Sequence, residues 1–250
     1  MFRRISRLLK RSYIELKGAP FFVRDYFALR RKRDDDFRFG RFYPILYDRN
    51  SESGIMSGDY FHQDLYVARK IYEASPAKHI DIGSRTDGFV AHVASFREIE
   101  IIDIRPQSST VKNIIFRQAD LMQLPEDLTG SCVSISSLHA IEHFGLGRYG
   151  DPVDWHGHVK AIENITKMLV SGGTFYFSVP IGPQRIEFNA HRVFSIKYLL
   201  NLLTPLYHVE SFSYVNDKGA FFEDVQLTDE EVERNFGCTY GCGIFILRKK

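Results

Sequence analysis

The chain alternates short apolar runs, several of them rich in β-branched residues, with segments of helical periodicity. The runs are HIDIG at 79–83, EIEIIDI at 98–104, NIIFRQ at 113–118, SCVSISSL at 131–138, GGTFYFSVP at 172–180, HVESFSYV at 208–215 and GCGIFILRK at 241–249. Between the first five lie helical segments such as GFVAHVASF and HVKAIENITKMLV. Since this alternation builds β-α-β units, it predicts an α/β domain with a largely parallel, buried sheet. The last two runs are candidates for antiparallel pairing at the sheet edge.

The first 33 residues carry an unusual excess of positive charge. They hold eleven Lys and Arg side chains against Glu15 and Asp25, although the net charge of the whole chain is only +2. Among these cations, apolar residues recur every three or four positions: Phe2, Ile5, Leu9, Tyr13 and Leu16. This pattern predicts a basic amphipathic helix. Its polar face is either simply solvated or rests on an anionic membrane surface, with an acidic partner as a third interpretation; nucleic acid is not expected.

The charge changes sign abruptly in RRKRDDDFRFGRF at residues 30–42, which is typical of a linker. The sequence therefore predicts a basic helical extension over residues 1–40 and a main domain over 41–250. Three cysteines, Cys132, Cys238 and Cys242, form no even disulfide framework, and no secretory signal or run of 18 apolar residues is present. A cytoplasmic protein is expected, with peripheral attachment to the inner face of the membrane as the alternative.

Polar residues follow the first three apolar runs. In an open parallel sheet, ligands bind beyond the carboxyl ends of the strands, which is where these residues would lie. Gly83, Ser84, Arg85, Asp87 and Gly88 come after the first run, Asp103 ends the second, and Asp120 follows the third. The spacing is neither GxGxxG nor a phosphate loop, because Phe89 stands where a Lys would follow Gly88. Three acids at three strand ends suit a nucleoside without a phosphate. The alternative is that they are helix caps and turn formers.

These motifs together resemble the class I S-adenosylmethionine-dependent methyltransferases over residues 57–250. Within that family, HIDIGSRTDGF resembles the variant first motif of a largely uncharacterised group, some of whose members are encoded among bacterial surface-polysaccharide genes. The resemblance implies a doubly wound, mostly parallel sheet of seven strands, in the order 3-2-1-4-5-7-6 with the last strand antiparallel and helices on both faces. It also implies that S-adenosylmethionine is bound by Asp81, Gly83, Ser84, Arg85, Asp87, Gly88, Asp103, Ile104, Asp120, Leu121 and Ser137.

The first motif departs from the family pattern at two positions. Arg85 and Asp87 stand where the family usually has its second and third glycines. Arg85 could pair with the carboxylate of the methionine tail, and Asp87 could contact its amino group or cap the helix. The grip on the methionine tail is therefore expected to differ from that of the family.

Methyl transfer to a hydroxyl requires in-line geometry and a base, and histidine suits that task near neutral pH. Candidate catalytic residues are His139, Glu142 and His143 after the fourth strand and His191 after the fifth. The alternative for each histidine is a hydrogen-bonded structural role. Because His156 and His158 lack helical ligand spacing, no metal is expected. Trp155 is either a platform for a sugar ring or an anchor in the core.

The predicted function is O-methylation of a sugar or glycan intermediate of surface-polysaccharide synthesis, a substrate suggested by the resemblance alone. The acceptor is thus a small molecule or glycan. One rival is an NAD-dependent reductase on a similar sheet, against which the missing GxGxxG argues. A second rival is a non-catalytic binding protein with the methyltransferase fold.

Overall fold

The computed structural model describes residues 19–34 and 36–250, which divide into two compact units, one ending at Ile55 and the other spanning Met56–Lys250. The amphipathic pattern predicted over residues 2–16 lies outside the described residues. In the first unit, residues 19–31 form helix α1. The ring of Tyr26 on this helix lies 5.3 Å from that of Phe39 and 4.9 Å from that of Phe42. The boundary between the two units, after Ile55, lies farther along the chain than the boundary after residue 40 that the sequence predicts.

The second unit is built on an eight-stranded sheet in the order β3-β2-β1-β4-β5-β10-β8-β9. Its strands are β1 (Ile80–Ile82), β2 (Ile99–Asp103), β3 (Ile114–Gln118), β4 (Cys132–Leu138), β5 (Leu169–Ile181), β8 (Tyr207–Val215), β9 (Phe221–Phe222) and β10 (Gly241–Lys249). The first five strands are parallel, and β10 pairs antiparallel with β5 and β8. The apolar runs thus form the mostly parallel α/β sheet that the alternation predicted.

The predicted count of seven strands is wrong. The seven predicted strands are present in the predicted order. An eighth strand, β9, pairs antiparallel with Tyr214 and Val215 at the carboxyl end of β8. A separate hairpin joins β6 (Arg185–Glu187) to β7 (His191–Val193). These three strands have only two or three residues each, too few to display the alternation that identifies a strand in a sequence.

Helices cover both faces of the sheet, as the resemblance implied. They are α2 (Asp59–Ala74), α3 (Ala91–Ala94), α4 (Gly157–Met168), α5 (Ile196–Leu203) and α6 (Asp229–Glu233). One hydrophobic core contains buried residues of α2 and α3, and a second contains buried residues of α4 and α5. In α4, for example, Ile162, Ile165 and Met168 share one face because they lie three residues apart.

The start of α5 shows how a polar residue ends an extended segment and begins a helix. Ser195 has extended dihedral angles, and its Oγ accepts a hydrogen bond from the Tyr198 amide at 3.2 Å. The segment NAHRVFSIKYLL therefore forms strand β7 first and enters the helix only at Ile196. Among the described helices, none has the length and apolarity needed to cross a membrane.

Candidate functional site

A cavity of about 400 Å³ lies beyond the carboxyl ends of β1, β2 and β4. We call it the site cavity. Its walls are formed by Tyr60, Ile82, Gly83, Ser84, Arg85, Thr86, Asp87, Ile102, Asp103, Ile104, Arg105, Ala119, Asp120, Leu121, His139, Ala140, Glu142, His143, Phe144, Arg148, Tyr149, Asp151, His191 and Tyr240. All four predicted catalytic residues and eight of the predicted cofactor residues line it. Asp81, Gly88 and Ser137 do not.

Asp81 is buried behind the cavity and holds the turn that follows β1. Its Oδ1 accepts hydrogen bonds from Ser84 Oγ at 2.6 Å and Ser136 Oγ at 2.5 Å, and its Oδ2 accepts from the Ser84 amide at 3.0 Å. Burial raises the pKa of Asp81 to about 6 despite these bonds. The first acid of the motif therefore fixes the shape of the loop and does not face a ligand directly.

The predicted residues Ser137 and Gly88 are also positioned to support the loop. Ser137 Oγ donates to the Ile82 carbonyl oxygen at 2.9 Å, which ties β4 to the end of β1. A Cβ at Gly88 would lie 2.5 Å from Asp64 Oδ2, so a larger residue at this position would have to displace the buried α2 carboxyl. Ser137 therefore acts through a hydrogen bond and Gly88 through close packing, and both lie outside the lining of the site cavity.

Arg85 and Asp87, the two departures from the family motif, pair with each other at the cavity rim. Arg85 Nε lies 3.1 Å from Asp87 Oδ1, and Arg85 Nη2 lies 3.0 Å from Asp87 Oδ2. The pair is solvent-exposed, so its members can exchange partners at little cost. The Arg85 guanidinium also lies 4.8 Å above the ring of Tyr60, a cavity residue on α2 that the sequence analysis missed.

Asp103 and Asp120 present acceptor oxygens at neighbouring strand ends. Arg105 donates to Asp103 through its amide at 2.8 Å, Nε at 3.0 Å and Nη2 at 2.6 Å. Asp120 Oδ1 accepts from the Met122 amide at 2.9 Å. Since a carboxylate offers about four lone-pair directions, Asp103 and Asp120 retain capacity for a ligand's hydroxyl or amino groups.

His139 and Glu142 line the cavity wall that follows β4, on the other side of β1 from Asp103 and Asp120. Glu142 is 1% exposed, its Oε1 lies 3.6 Å from His139 Nδ1, and its Oε2 has no hydrogen-bond partner. Burial raises the pKa of Glu142 to about 8 and lowers that of His139 to about 3. Near neutral pH both groups are therefore uncharged, and the contact is not an ion pair.

His143 is held in one orientation by the backbone. Its Nδ1 lies 2.7 Å from the Ala190 carbonyl oxygen, which can only accept, so Nδ1 carries the hydrogen and Nε2 keeps a lone pair. Nε2 lies 3.7 Å from Glu142 Oε1. Burial is the main reason that the pKa of His143 falls to about 4, and the imidazole is neutral at pH 7.

His191 and Tyr240 complete this wall. The two rings lie 5.2 Å apart, and His191 Nε2 lies 3.6 Å from Glu187 Oε2. Burial lowers the pKa of His191 and raises that of Tyr240 to about 12. Tyr240 directly precedes β10, and no local sequence motif identifies it as a cavity residue.

The loop at residues 145–151 covers one side of the cavity and is fastened by Asp151. Asp151 accepts hydrogen bonds from the amides of Gly145 at 2.7 Å, Gly147 at 3.2 Å and Tyr149 at 3.2 Å. Two guanidinium groups contact the Tyr149 ring, with Arg105 Cζ at 4.4 Å and Arg148 Cζ at 5.0 Å from its centroid. Asp151 thus fixes the loop that carries both Arg148 and Tyr149.

Arg192, which the sequence analysis also missed, fastens the adjoining backbone. It is 4% exposed, and its Nη1 donates to the Phe144 carbonyl oxygen at 2.6 Å while Nη2 donates to that of Trp155 at 3.2 Å. The side chain therefore joins the segment before the loop to the segment after it. Its role depends on backbone oxygens, which no residue spacing reveals.

Trp155, His156 and His158 lie outside the site cavity and line a second cavity of about 650 Å³. Trp155 is 71% exposed, so the interpretation as a core anchor is wrong. His158 Nε2 is hydrogen-bonded to the Tyr198 hydroxyl at 2.7 Å. In residues 19–34 and 36–250, no three His, Cys, Asp or Glu side chains are grouped to hold a metal ion.

Gly145 is expected to be indispensable for the loop. It has φ +77°, and a Cβ there would overlap the Asp154 carbonyl group, whereas Gly150 has φ +84° with open space around it. Gly145→Ala should therefore lower the free energy of unfolding by more than about 3 kcal/mol, against about 1–2 kcal/mol for Gly150→Ala. Urea denaturation of both variants checks this, and equal losses would contradict the described packing.

Solved structures of known proteins share this fold. One is the 1,6-didemethyltoxoflavin-N1-methyltransferase of Burkholderia thailandensis with bound S-adenosylhomocysteine, with a TM-score of 0.55 and 14% identity over 75% of this chain and 78% of that one. Another is the N-methyltransferase NodS of Bradyrhizobium japonicum WM9 in complex with S-adenosylhomocysteine, with a TM-score of 0.50 and 15% identity over 90% and 97%. The [4+2]-cyclase SpnF also matches, with a TM-score of 0.50 and 14% identity over 74% and 80%.

The sheet order, the helices on both faces and these likenesses define a protein with the Rossmann-like methyltransferase fold. No curated protein matches the chain. The chain belongs to the DUF268 family, described as Caenorhabditis protein of unknown function, whose pattern matches residues 93–249.

Proposed function

We propose that this protein is an S-adenosylmethionine-dependent methyltransferase that methylates a hydroxyl oxygen. The observation that carries the proposal is the division of one cavity into two chemically different ends. Acidic acceptors, Asp103 and Asp120, lie at one end, and neutral histidines lie with Glu142 at the other. A cofactor and an acceptor bound at the two ends would meet inside a single cavity.

The residues at the acidic end fit the nucleoside part of the cofactor. Asp103 would accept a hydrogen bond from a ribose hydroxyl and Asp120 one from the adenine amino group, while Ile104 and Leu121 line the same cavity. Gly83 has φ +69° and lets the loop backbone approach the ligand. Arg85 and Asp87 would exchange their mutual pair for the carboxylate and amino group of the methionine tail.

When bound, S-adenosylmethionine would supply a methyl group activated by its sulfonium, and a neutral thioether would remain once the acceptor oxygen has taken that group. The hydroxyl proton must leave as the methyl group is transferred. His143 Nε2 accepts it, because its lone pair is free while Nδ1–H is held by the Ala190 carbonyl. His139 and His191 have an Nε2 without a hydrogen-bond partner at the same wall and remain alternatives.

Glu142 contributes as a neutral acid. Its carboxyl group is protonated near neutral pH and lies close to His139 and His143. A protonated carboxyl can donate one hydrogen bond and accept others, so Glu142 orients the acceptor hydroxyl toward His143 without competing for its proton.

A sugar or glycan intermediate of surface-polysaccharide synthesis is the acceptor that the sequence resemblance suggests, and it stays a prediction. A second candidate function is favoured by SpnF, since a [4+2]-cyclase shares the fold. The protein would then share the fold without transferring a methyl group. Methyl-labelled S-adenosylmethionine separates the two, because only a methyltransferase moves the label to an acceptor.

Cofactor binding is tested by calorimetry with S-adenosylhomocysteine and NAD. We expect the wild-type protein to bind S-adenosylhomocysteine, and Asp103→Ala to weaken its binding at least about tenfold because a hydrogen bond to a charged group is lost. Asp127→Ala is the matched control, since Asp127 also forms a two-point pair with an arginine, Arg117, but lies outside the site cavity. Equal affinities of wild type and Asp103→Ala, or preferential binding of NAD, would contradict the proposal.

A further inference from the structure

Arg148 is the cation of the site cavity whose charge is not paired. Within the described part of the second unit, Arg85 pairs with Asp87 and Arg105 with Asp103, whereas no carboxylate lies within ion-pair distance of Arg148. Its Nη1 donates to the Ala190 carbonyl oxygen at 2.9 Å, and no other nitrogen of its guanidinium group makes a hydrogen bond within residues 56–250. Arg148 therefore keeps donors available for a ligand.

Arg148 is placed beside the proposed base. The guanidinium Nη1 and His143 Nδ1 both donate to the same carbonyl oxygen of Ala190 and lie 3.4 Å apart. The loop that carries Arg148 is fastened by Asp151 through three amides. An anion bound to Arg148 would thus lie next to His143 at a distance fixed by the backbone.

Within residues 56–250, no carboxylate around this end forms an ion pair with Arg148. Glu142 is protonated near neutral pH, Asp151 accepts hydrogen bonds from amides of the loop, and Glu187 pairs with Arg185. The histidines His139, His143 and His191 are neutral, since burial lowers the pKa of each. Arg148 and Arg105 add to this by lowering the pKa of His143 through their positive charge. Among residues 56–250, the guanidinium group of Arg148 is therefore an unpaired positive charge at this end of the cavity, and it would repel an ammonium group placed beside it.

We propose that the methyl acceptor carries an anionic group, a phosphate or a carboxylate, next to the hydroxyl that is methylated, and that Arg148 holds this group. The inference rests on the proposed function and specifies its substrate class. A guanidinium group matches both anions through parallel N–H donors. The bound anion also offsets the positive charge beside His143, which raises the pKa of the imidazole and makes it a stronger base when the acceptor is in place.

The test measures binding of three probes to the protein saturated with S-adenosylhomocysteine. The probes are D-glucose 1-phosphate, D-glucuronate and D-glucose, which share a sugar ring and differ in their anionic group. At low ionic strength, at least one anionic probe should bind about tenfold or more tightly than glucose, and high salt should weaken this preference. The two anionic arms show whether the anion is a phosphate or a carboxylate.

Two variants of Arg148 separate binding from a structural role. Arg148→Gln should abolish the preference for the anionic probe, while Arg148→Lys should retain a large part of it because the charge is kept. Arg117→Gln, which removes a partly buried arginine outside the cavity, is the control and should behave as wild type. NMR titration of His143 should show a higher pKa with the anionic probe bound than without it.

The inference is wrong if glucose binds as tightly as both anionic probes, or if neither anionic probe binds. It is also wrong if Arg148→Gln keeps the preference for the anionic probe, or if Arg148→Lys and Arg148→Gln lose that preference to the same extent. These failures are distinct from failure of the proposed function. If S-adenosylhomocysteine does not bind in the first step, the proposed function is refuted; if it binds and the anionic preference is absent, only the assignment of Arg148 is wrong.

Discussion

Replacing His143 by Ala is expected to lower kcat for methyl transfer by at least about 100-fold, the usual contribution of a positioned general base. The physical reason is that Nε2 is a neutral acceptor whose orientation is fixed by the Nδ1–Ala190 bond. Binding of S-adenosylhomocysteine should stay close to that of wild type, because the acids proposed to hold the nucleoside, Asp103 and Asp120, lie on other strand ends. Steady-state kinetics with the labelled cofactor measures the effect.

The matched control for this variant is His208→Ala. His208 is exposed on β8 and does not line the site cavity, so its removal should leave turnover unchanged. Normal turnover in His143→Ala would eliminate His143 as the base. The same measurement on His139→Ala and His191→Ala would then show which of the remaining two histidines takes the proton.

The second large effect concerns Glu142 and the pH dependence of stability. The pKa of Glu142 is about 8 in the folded protein, against an ordinary value of 4.5. Above pH 4.5 the unfolded chain releases this proton while the folded protein retains it, so the free energy of unfolding falls as pH rises from 4.5 to 8. Glu142→Gln cannot ionise and should escape this loss.

Glu142→Gln should therefore gain stability relative to wild type across that range, by on the order of a few kcal/mol, since one pKa unit corresponds to about 1.4 kcal/mol. The difference between the two proteins isolates Glu142, because both carry the same buried histidines. Urea denaturation at a series of pH values measures it, with Glu163→Gln on the exposed face of α4 as the control for losing one carboxyl. If the difference in free energy of unfolding between Glu142→Gln and wild type does not change with pH, Glu142 has the same pKa in the folded and the unfolded chain, and the prediction is wrong.

The parallel sheet was predictable from the sequence because each long strand has its own local signal. Strands such as β2 and β10 are buried runs of β-branched and aromatic residues, and their burial against helices produces that composition. The edge strand β9 and the hairpin of β6 and β7 were missed. They are short, and they form through pairing with neighbours that the local sequence does not specify.

The sequence predicted which residues line the site cavity, but not which of its charged side chains pair with each other. The strand-end rule placed Asp103, Asp120 and His143 correctly at one cavity. It could not show that Arg105 would pair with Asp103 and that Arg148 would be left without a carboxylate, because these outcomes depend on side-chain reach across loops. Nor could it separate Asp81, which holds the loop from behind, from acids that face the cavity.

A crystal structure of the protein with S-adenosylhomocysteine would show directly whether the site cavity is the cofactor site. We expect a ribose hydroxyl to contact Asp103, the adenine amino group to contact Asp120, and the sulfur to point toward His143 and Glu142. A nucleoside bound outside the site cavity, or bound inside it with its sulfur turned away from His143, would refute the proposed function.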